Sequence, residues 1–273
     1  VISRWPQNLA TRVRGLAFSA LALVTGCGET ATSTQRDKPS PEIPIAAPTS
    51  ASPTTATTAT TTLLAAALPA PVADNPQTVA ARAAFQVLMT PGSDTAAWDA
   101  AQQMLVTLGV DAAPVLIEGL KSSNPIERET AATVCALTGT VETRLQVVLV
   151  ECLSDSSSFV RANAAAALAA IPEYHSQVMA TLTTLLADTD PQLRRMAAAN
   201  LNSFGVEASV ELPKLTAVLT DKDTEVVTPV IQLLGRIGPQ AVEAVPQLQK
   251  IAFEQEGEIK QAAEQALLLI QSK

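Results

Sequence analysis

The chain has 273 residues, of which 47% are hydrophobic and only 3% aromatic, and its formal net charge is −8. A chain of this length holds one or two domains, and only the part rich in Ala, Leu and Val can bury a core, because the first third is dominated by Thr, Ala, Pro and Ser. Residues 79–273 carry 13 basic against 22 acidic side chains, about nine net negative charges, which argues against binding a nucleic-acid backbone.

At the N-terminal end, Arg4, Arg12 and Arg14 precede an apolar run from Leu16 to Val24. A bilayer span takes about 20 apolar residues, so this run is too short for one and has the length of a signal-peptide core. It ends in Val24-Thr25-Gly26-Cys27, which resembles a bacterial lipobox. The resemblance implies a signal peptide over residues 1–26 and acylation of Cys27. It also implies export, with the membrane reached through lipidated Cys27 at the cell or outer membrane, on a periplasmic or cell-surface face. The alternative is an ordinary secretory signal with an incidental cysteine. No other segment is expected to approach a membrane span.

Residues 27–76 contain prolines 39, 41, 44, 48, 53, 69, 71 and 76 and a Thr-rich run from Pro53 to Thr62. With few bulky apolar side chains this stretch cannot offset the entropy of ordering and reads as a disordered linker. Its reach is roughly 40 Å as a flexible chain and at most about 150 Å as polyproline II. Leu63 to Leu68 is the one apolar patch within it.

From residue 77 to 273 a pattern returns every 33 residues, with Leu120, Leu153, Leu186 and Leu219 at equal spacing and Asp155, Asp188 and Asp221 two places after the last three. In each row an apolar stripe follows: Val160, Ala164, Leu168, Ile171; then Leu193, Ala197, Leu201, Phe204; then Val226, Val230, Leu234, Ile237. The spacing keeps one helix face. A break at Pro172, Gly205 and Gly238 leads to a second helix that buries Leu149, Leu182, Leu215 and Leu248. Pro213 and Pro246 open that helix where a missing N–H costs little. Pro114 shares their register, so the array starts upstream, and the shorter distance from Gly109 makes that loop about three residues shorter. Thr78 to Met89 and Thr95 to Leu108 read as further helices around Pro91 and Gly92, and Glu258 to Ser272 as a lone terminal helix. Terminal units are expected to present a polar outer face.

The fold class is therefore all-α, a solenoid of stacked antiparallel helix pairs that bury a core only by stacking. The pattern Leu153-Ser154-Asp155, Val160-Arg161, Ala164-Ala165, Leu168, repeated as Leu186-Ala187-Asp188, Leu193-Arg194, Ala197-Ala198, Leu201, resembles HEAT repeats. The likeness is particularly to the short bacterial HEAT-like repeats also found in phycobilin lyase subunits. That resemblance implies a right-handed solenoid. It also implies that the Asp residues close turns or cap first helices, while Arg128, Arg161, Arg194 and Lys260 bridge to neighbours. Ankyrin and tetratricopeptide signatures are missing.

Cys135 and Cys152 fall where the next row has Leu168 and Leu185, so they read as buried small hydrophobes, with a disulfide as the alternative in an oxidising compartment. His175, in a loop beside Pro172, Glu173 and Tyr174, offers no metal cluster, and Phe85 and Trp98 read as packing of the N-terminal cap. In this fold the functional surface is expected on the concave face, formed by the second helices. Positions 24, 28 and 31 after each leading residue are expected to point outward there. They collect Asp111, Arg144, Gln177 and Glu243; Val115, Val148, Thr181, Lys214 and Gln247; and Glu118, Glu151, Thr184 and Lys250. The stripe is mixed in charge and has no aromatic anchor. The expected function is a non-catalytic scaffold for an unidentified protein partner at the cell envelope, with no cofactor. The alternatives are an enzyme or enzyme subunit related to the lyase proteins, and a structural envelope spacer.

Overall fold

The structure is a computed structural model that describes residues 75–139 and 142–272. The expected signal peptide, Cys27 and the expected linker through residue 74 lie outside these residues. The described residues form the helices α1 (Pro76–Met89), α2 (Thr95–Leu108), α3 (Ala113–Leu120), α4 (Pro125–Thr138), α5 (Thr143–Cys152) and α6 (Ser158–Leu168), followed by α7 (His175–Leu185), α8 (Pro191–Asn202), α9 (Leu212–Val218), α10 (Thr224–Ile237), α11 (Val245–Glu254) and α12 (Glu258–Gln271). No strand occurs among them.

Local chemistry sets several helix starts. Asn75, Asp94, Asn124, Asp190 and Asp223 each cap a helix by accepting a hydrogen bond from a backbone N–H two or three residues on, at 2.6–3.0 Å. In α1, α4 and α8 a proline takes the first position, where its missing donor would have been orphaned. First helices and second helices are joined by 3₁₀ turns at Gly109–Ala112, Gly205–Glu211 and Gly238–Ala244. The first is four residues and the other two are seven, so the earlier loop is three residues shorter, as the proline register implies. Gly205 has φ +56 at such a break, a conformation that a residue with Cβ rarely adopts.

Packing follows the repeat. First helices lie against one another, α4 on α6, α8 on α10 and α10 on α12, while each second helix packs on the first helix that follows it: α3 on α4, α5 on α6, α7 on α8, α9 on α10 and α11 on α12. The stripe residues enter one continuous core, with Val160, Ala164, Leu168, Ala197, Leu201, Val230 and Leu234 fully buried and Ile171 only partly so. Leu149, Leu182, Leu215 and Leu248 are likewise at 0% exposure. Small residues let the first helices approach, since a Cβ on Gly235 of α10 would stand 3.0 Å from Ala266 Cα of α12.

Two expectations are corrected. Thr95–Leu120 is long and apolar enough by composition to meet the requirement for a membrane span. In the fold it is two helices broken at Gly109, with Leu105, Leu116 and Leu120 buried in the array. The C-terminal unit does not present a purely polar face either, for Phe253 is 90% and Leu268 73% exposed.

Candidate interaction surface

The second-helix face is built from residues that vary while the leucines beneath them stay constant. Glu118, Glu151, Gln177, Thr184, Lys214, Glu243 and Lys250 are exposed, and Asp111, Arg144, Thr181 and Gln247 are half-buried. Val115 and Val148 do not point outward: each is 3% exposed, because α3 packs against α5 and covers them. Further along the array the same position holds Thr181, Lys214 and Gln247, so the face is apolar and closed at one end and polar and open at the other.

Most charge on this face is already paired. Arg82 forks onto Glu118, Arg144 meets Glu142 at 2.6 Å, Lys214 meets Glu211 at 2.8 Å, and Lys250 stands 4.0 Å from Glu254. Exposed pairs like these contribute roughly 0–1 kcal/mol each and a partner exchanges them at small cost. Glu211 also accepts from Thr183 Oγ1 at 3.3 Å, linking α7 to the turn before α9.

The Asp and Arg ladder is turn chemistry. Asp155, Asp188 and Asp221 each accept a backbone N–H two residues on, at 2.8–3.0 Å, and so close the turn, whereas the residues that cap α8 and α10 are Asp190 and Asp223. Arg128 bridges to Asp155 through Nε at 2.8 Å and Nη2 at 3.0 Å, and Arg194 bridges to Asp221 through Nε at 2.8 Å. Arg161 breaks the series: it donates to the carbonyls of Asp155 and Ser156 in its own turn. Lys260 also stays on its own helix, 4.0 Å from Glu264.

The profile of HEAT repeats matches residues 113–202 and 178–268, together more than half of the chain. The chain is a HEAT-repeat protein. A comparison with curated proteins finds no match. Among solved structures, an engineered protein from the Northeast Structural Genomics Consortium is 25% identical, with a TM-score of 0.51, covering 70% of this chain and 96% of its own. A designed armadillo repeat protein is 20% identical, with a TM-score of 0.51 and coverage of 69% and 99%. Another, solved in complex with the peptide (KR)4, is 18% identical, with a TM-score of 0.52 and coverage of 69% and 98%. The two designed proteins speak for the fold alone. A HEAT-repeat scaffold of this kind is suited to protein–protein interaction, because stacking gives an extended surface whose outer residues are free to vary.

Within the HEAT-repeat core, Cys135 and Cys152 are buried free thiols. Burial pushes the Cys135 thiol up to about 12, and burial with the nearby Asp155 and Glu151 carboxylates pushes Cys152 up to about 11. His175 opens α7 and packs edge-on against Phe204 at 5.0 Å, with Nδ1 2.6 Å from Glu207 and Nε2 3.1 Å from the Ala169 carbonyl. It ties one turn to the next. Phe85 and Trp98 are buried at 7% and 3% in the N-terminal cap.

Sequence reasoning centred on the second helices missed a polar group on the first-helix layer. Arg236 Nη2 donates to Asn202 Oδ1, and Asn202 Nδ2 donates to Gln232 Oε1 at 3.3 Å. Its signal in the sequence was Gln232 and Arg236 four apart on α10, off the buried stripe.

Proposed function

We propose that the chain is a non-catalytic, lipid-anchored scaffold that holds a partner protein at the bacterial cell envelope. The observation that carries the interaction reading is the contrast within one layer: Leu149, Leu182, Leu215 and Leu248 repeat in the core, while Thr181, Lys214 and Gln247 differ at one outward register. An outer register that changes from row to row over repeated core leucines gives an extended surface on which one partner can be told from another. The anchor reading rests on the lipobox-like Val24-Thr25-Gly26-Cys27, and the Pro-rich stretch after it supplies reach. A diacylglycerol on Cys27 is enough for stable attachment, since each buried CH₂ contributes about 0.8 kcal/mol.

Photo-crosslinking groups placed at Gln177, Thr181 and Gln247 of the full chain test the interaction in the native envelope. Repeated recovery of one crosslinked protein, lost when Lys214 is changed to Glu, is the expected result. Recovery of no protein from any of the three positions overturns the scaffold reading and favours a spacer. For the anchor, Cys27→Ser is expected to abolish lipid labelling and release the chain from the membrane fraction. Unchanged membrane association defeats it.

A further inference from the structure

Between α8, α10 and α12 the first-helix layer leaves a cleft of about 260 Å³. Its rim is polar, formed by Asn202, Gln232, Arg236 and Gln265, and Gly235 and Ala266 lie among its apolar lining. That volume lies just below the roughly 300–1,000 Å³ of small-molecule and cofactor sites.

Arg236 stands apart from the other arginines. Arg82, Arg128, Arg144, Arg194 and Arg195 each meet a carboxylate, and Arg161 is taken up by turn carbonyls. Among the described residues Arg236 is held only by the amide oxygen of Asn202, which is itself fixed by its bond to Gln232. That bond uses one of five guanidinium donors and orients the fork at the cleft without neutralising it. A planar fork with one positive charge is matched by a carboxylate, which accepts two parallel hydrogen bonds. One cation on a chain of net charge −8 is too little for a phosphate dianion or a nucleic acid.

We propose that this cleft captures a single carboxylate, carried by an acidic side chain on an extended segment of a partner protein. The inference rests on the scaffold reading, but it places a second contact on the first-helix layer, distinct from the second-helix face. Asn202 and Gln232 act as positioning residues, and the apolar lining takes the methylenes of the incoming side chain.

The test is a titration of the isotope-labelled full chain with three probes, N-acetyl-glutamate α-amide, N-acetyl-glutamine α-amide and N-acetyl-alanine, following the Arg236 Nε–Hε resonance. The glutamate amide is expected to move that resonance saturably, and the glutamine amide to bind at least about tenfold more weakly, because a charge-assisted bond is roughly twice as strong as a neutral one. Arg236→Gln is expected to abolish binding and Arg236→Lys to weaken it, with thermal unfolding of both variants showing that the array is intact. Equal binding of the two amides, binding unchanged in Arg236→Gln, or no movement with any probe overturns the proposal. Preference for N-acetyl-alanine overturns the side-chain assignment in favour of a chain terminus. A protein crosslinked to the second-helix face with no response at Arg236 leaves the scaffold reading standing and removes this one; a response at Arg236 with no crosslinked protein keeps the carboxylate site but overturns its assignment to a partner protein.

Discussion

Asp155 is pulled in two directions. Burial raises its carboxyl, but hydrogen bonds from Arg128 and from the Ser157 N–H outweigh that and hold it below the ordinary aspartate range. Because the folded group titrates below the unfolded one, its stabilisation is fully present above about pH 4 and is lost as the pH falls through the folded value. Asp155→Asn is therefore expected to cost about 1–3 kcal/mol at neutral pH, and the cost should shrink in acid, as read by denaturant unfolding across pH. Gly119 illustrates a different residue-scale constraint: a Cβ there would lie 2.9 Å from both Ala131 Cβ and the Phe85 ring. Gly119→Ala should lose about 1–3 kcal/mol despite its better helix propensity, measured as a drop in unfolding midpoint. The first role was legible through the resemblance to HEAT repeats, which left turn closure and helix capping both open. The second was not, since nothing in the row pattern says that Phe85 of α1 reaches across to α3.

At the scale of the helix, the 3.6-residue stripe places nearly every core position, because a stacked helix has one buried face and solvent opposite it. Leu182, at 0% exposure in α7, is expected to cost about 2–5 kcal/mol when changed to Ala. α10 departs from local propensity by carrying Pro229 inside the helix, where it lacks the N–H for the ladder. Pro229→Ala should raise stability by about 1–3 kcal/mol, seen as a higher denaturant midpoint with unchanged slope. The register of the second helices was less legible. Val115 and Val148 occupy the same position as Thr181 and Lys214, and only the packing of α3 on α5 turns the first two inward.

Across the whole molecule, stability is carried by neighbours. α12 covers α10 and α11, so ending the chain after Glu254 should expose Ile237 and Leu234 of α10 and lower the unfolding midpoint of the remaining array. Circular dichroism against temperature reads that directly. Phe253 and Leu268 remain exposed even with α12 in place, apolar positions that the row pattern does not foretell.

The 33-residue period by itself determined the helix pairs, the stacking and the buried leucines, and the resemblance to HEAT repeats added a turn-closing or capping role for the Asp residues. Each of these depends on contacts between equivalent positions in adjacent rows, and equal spacing in the chain becomes equal spacing in space. Only the tertiary structure decided that Arg161 stays in its own turn, that Val115 and Val148 are covered, and that Asn202, Gln232 and Arg236 meet on the first-helix layer. Those outcomes turn on how far each helix is displaced from its neighbour, a distance of a few ångströms that the period does not encode.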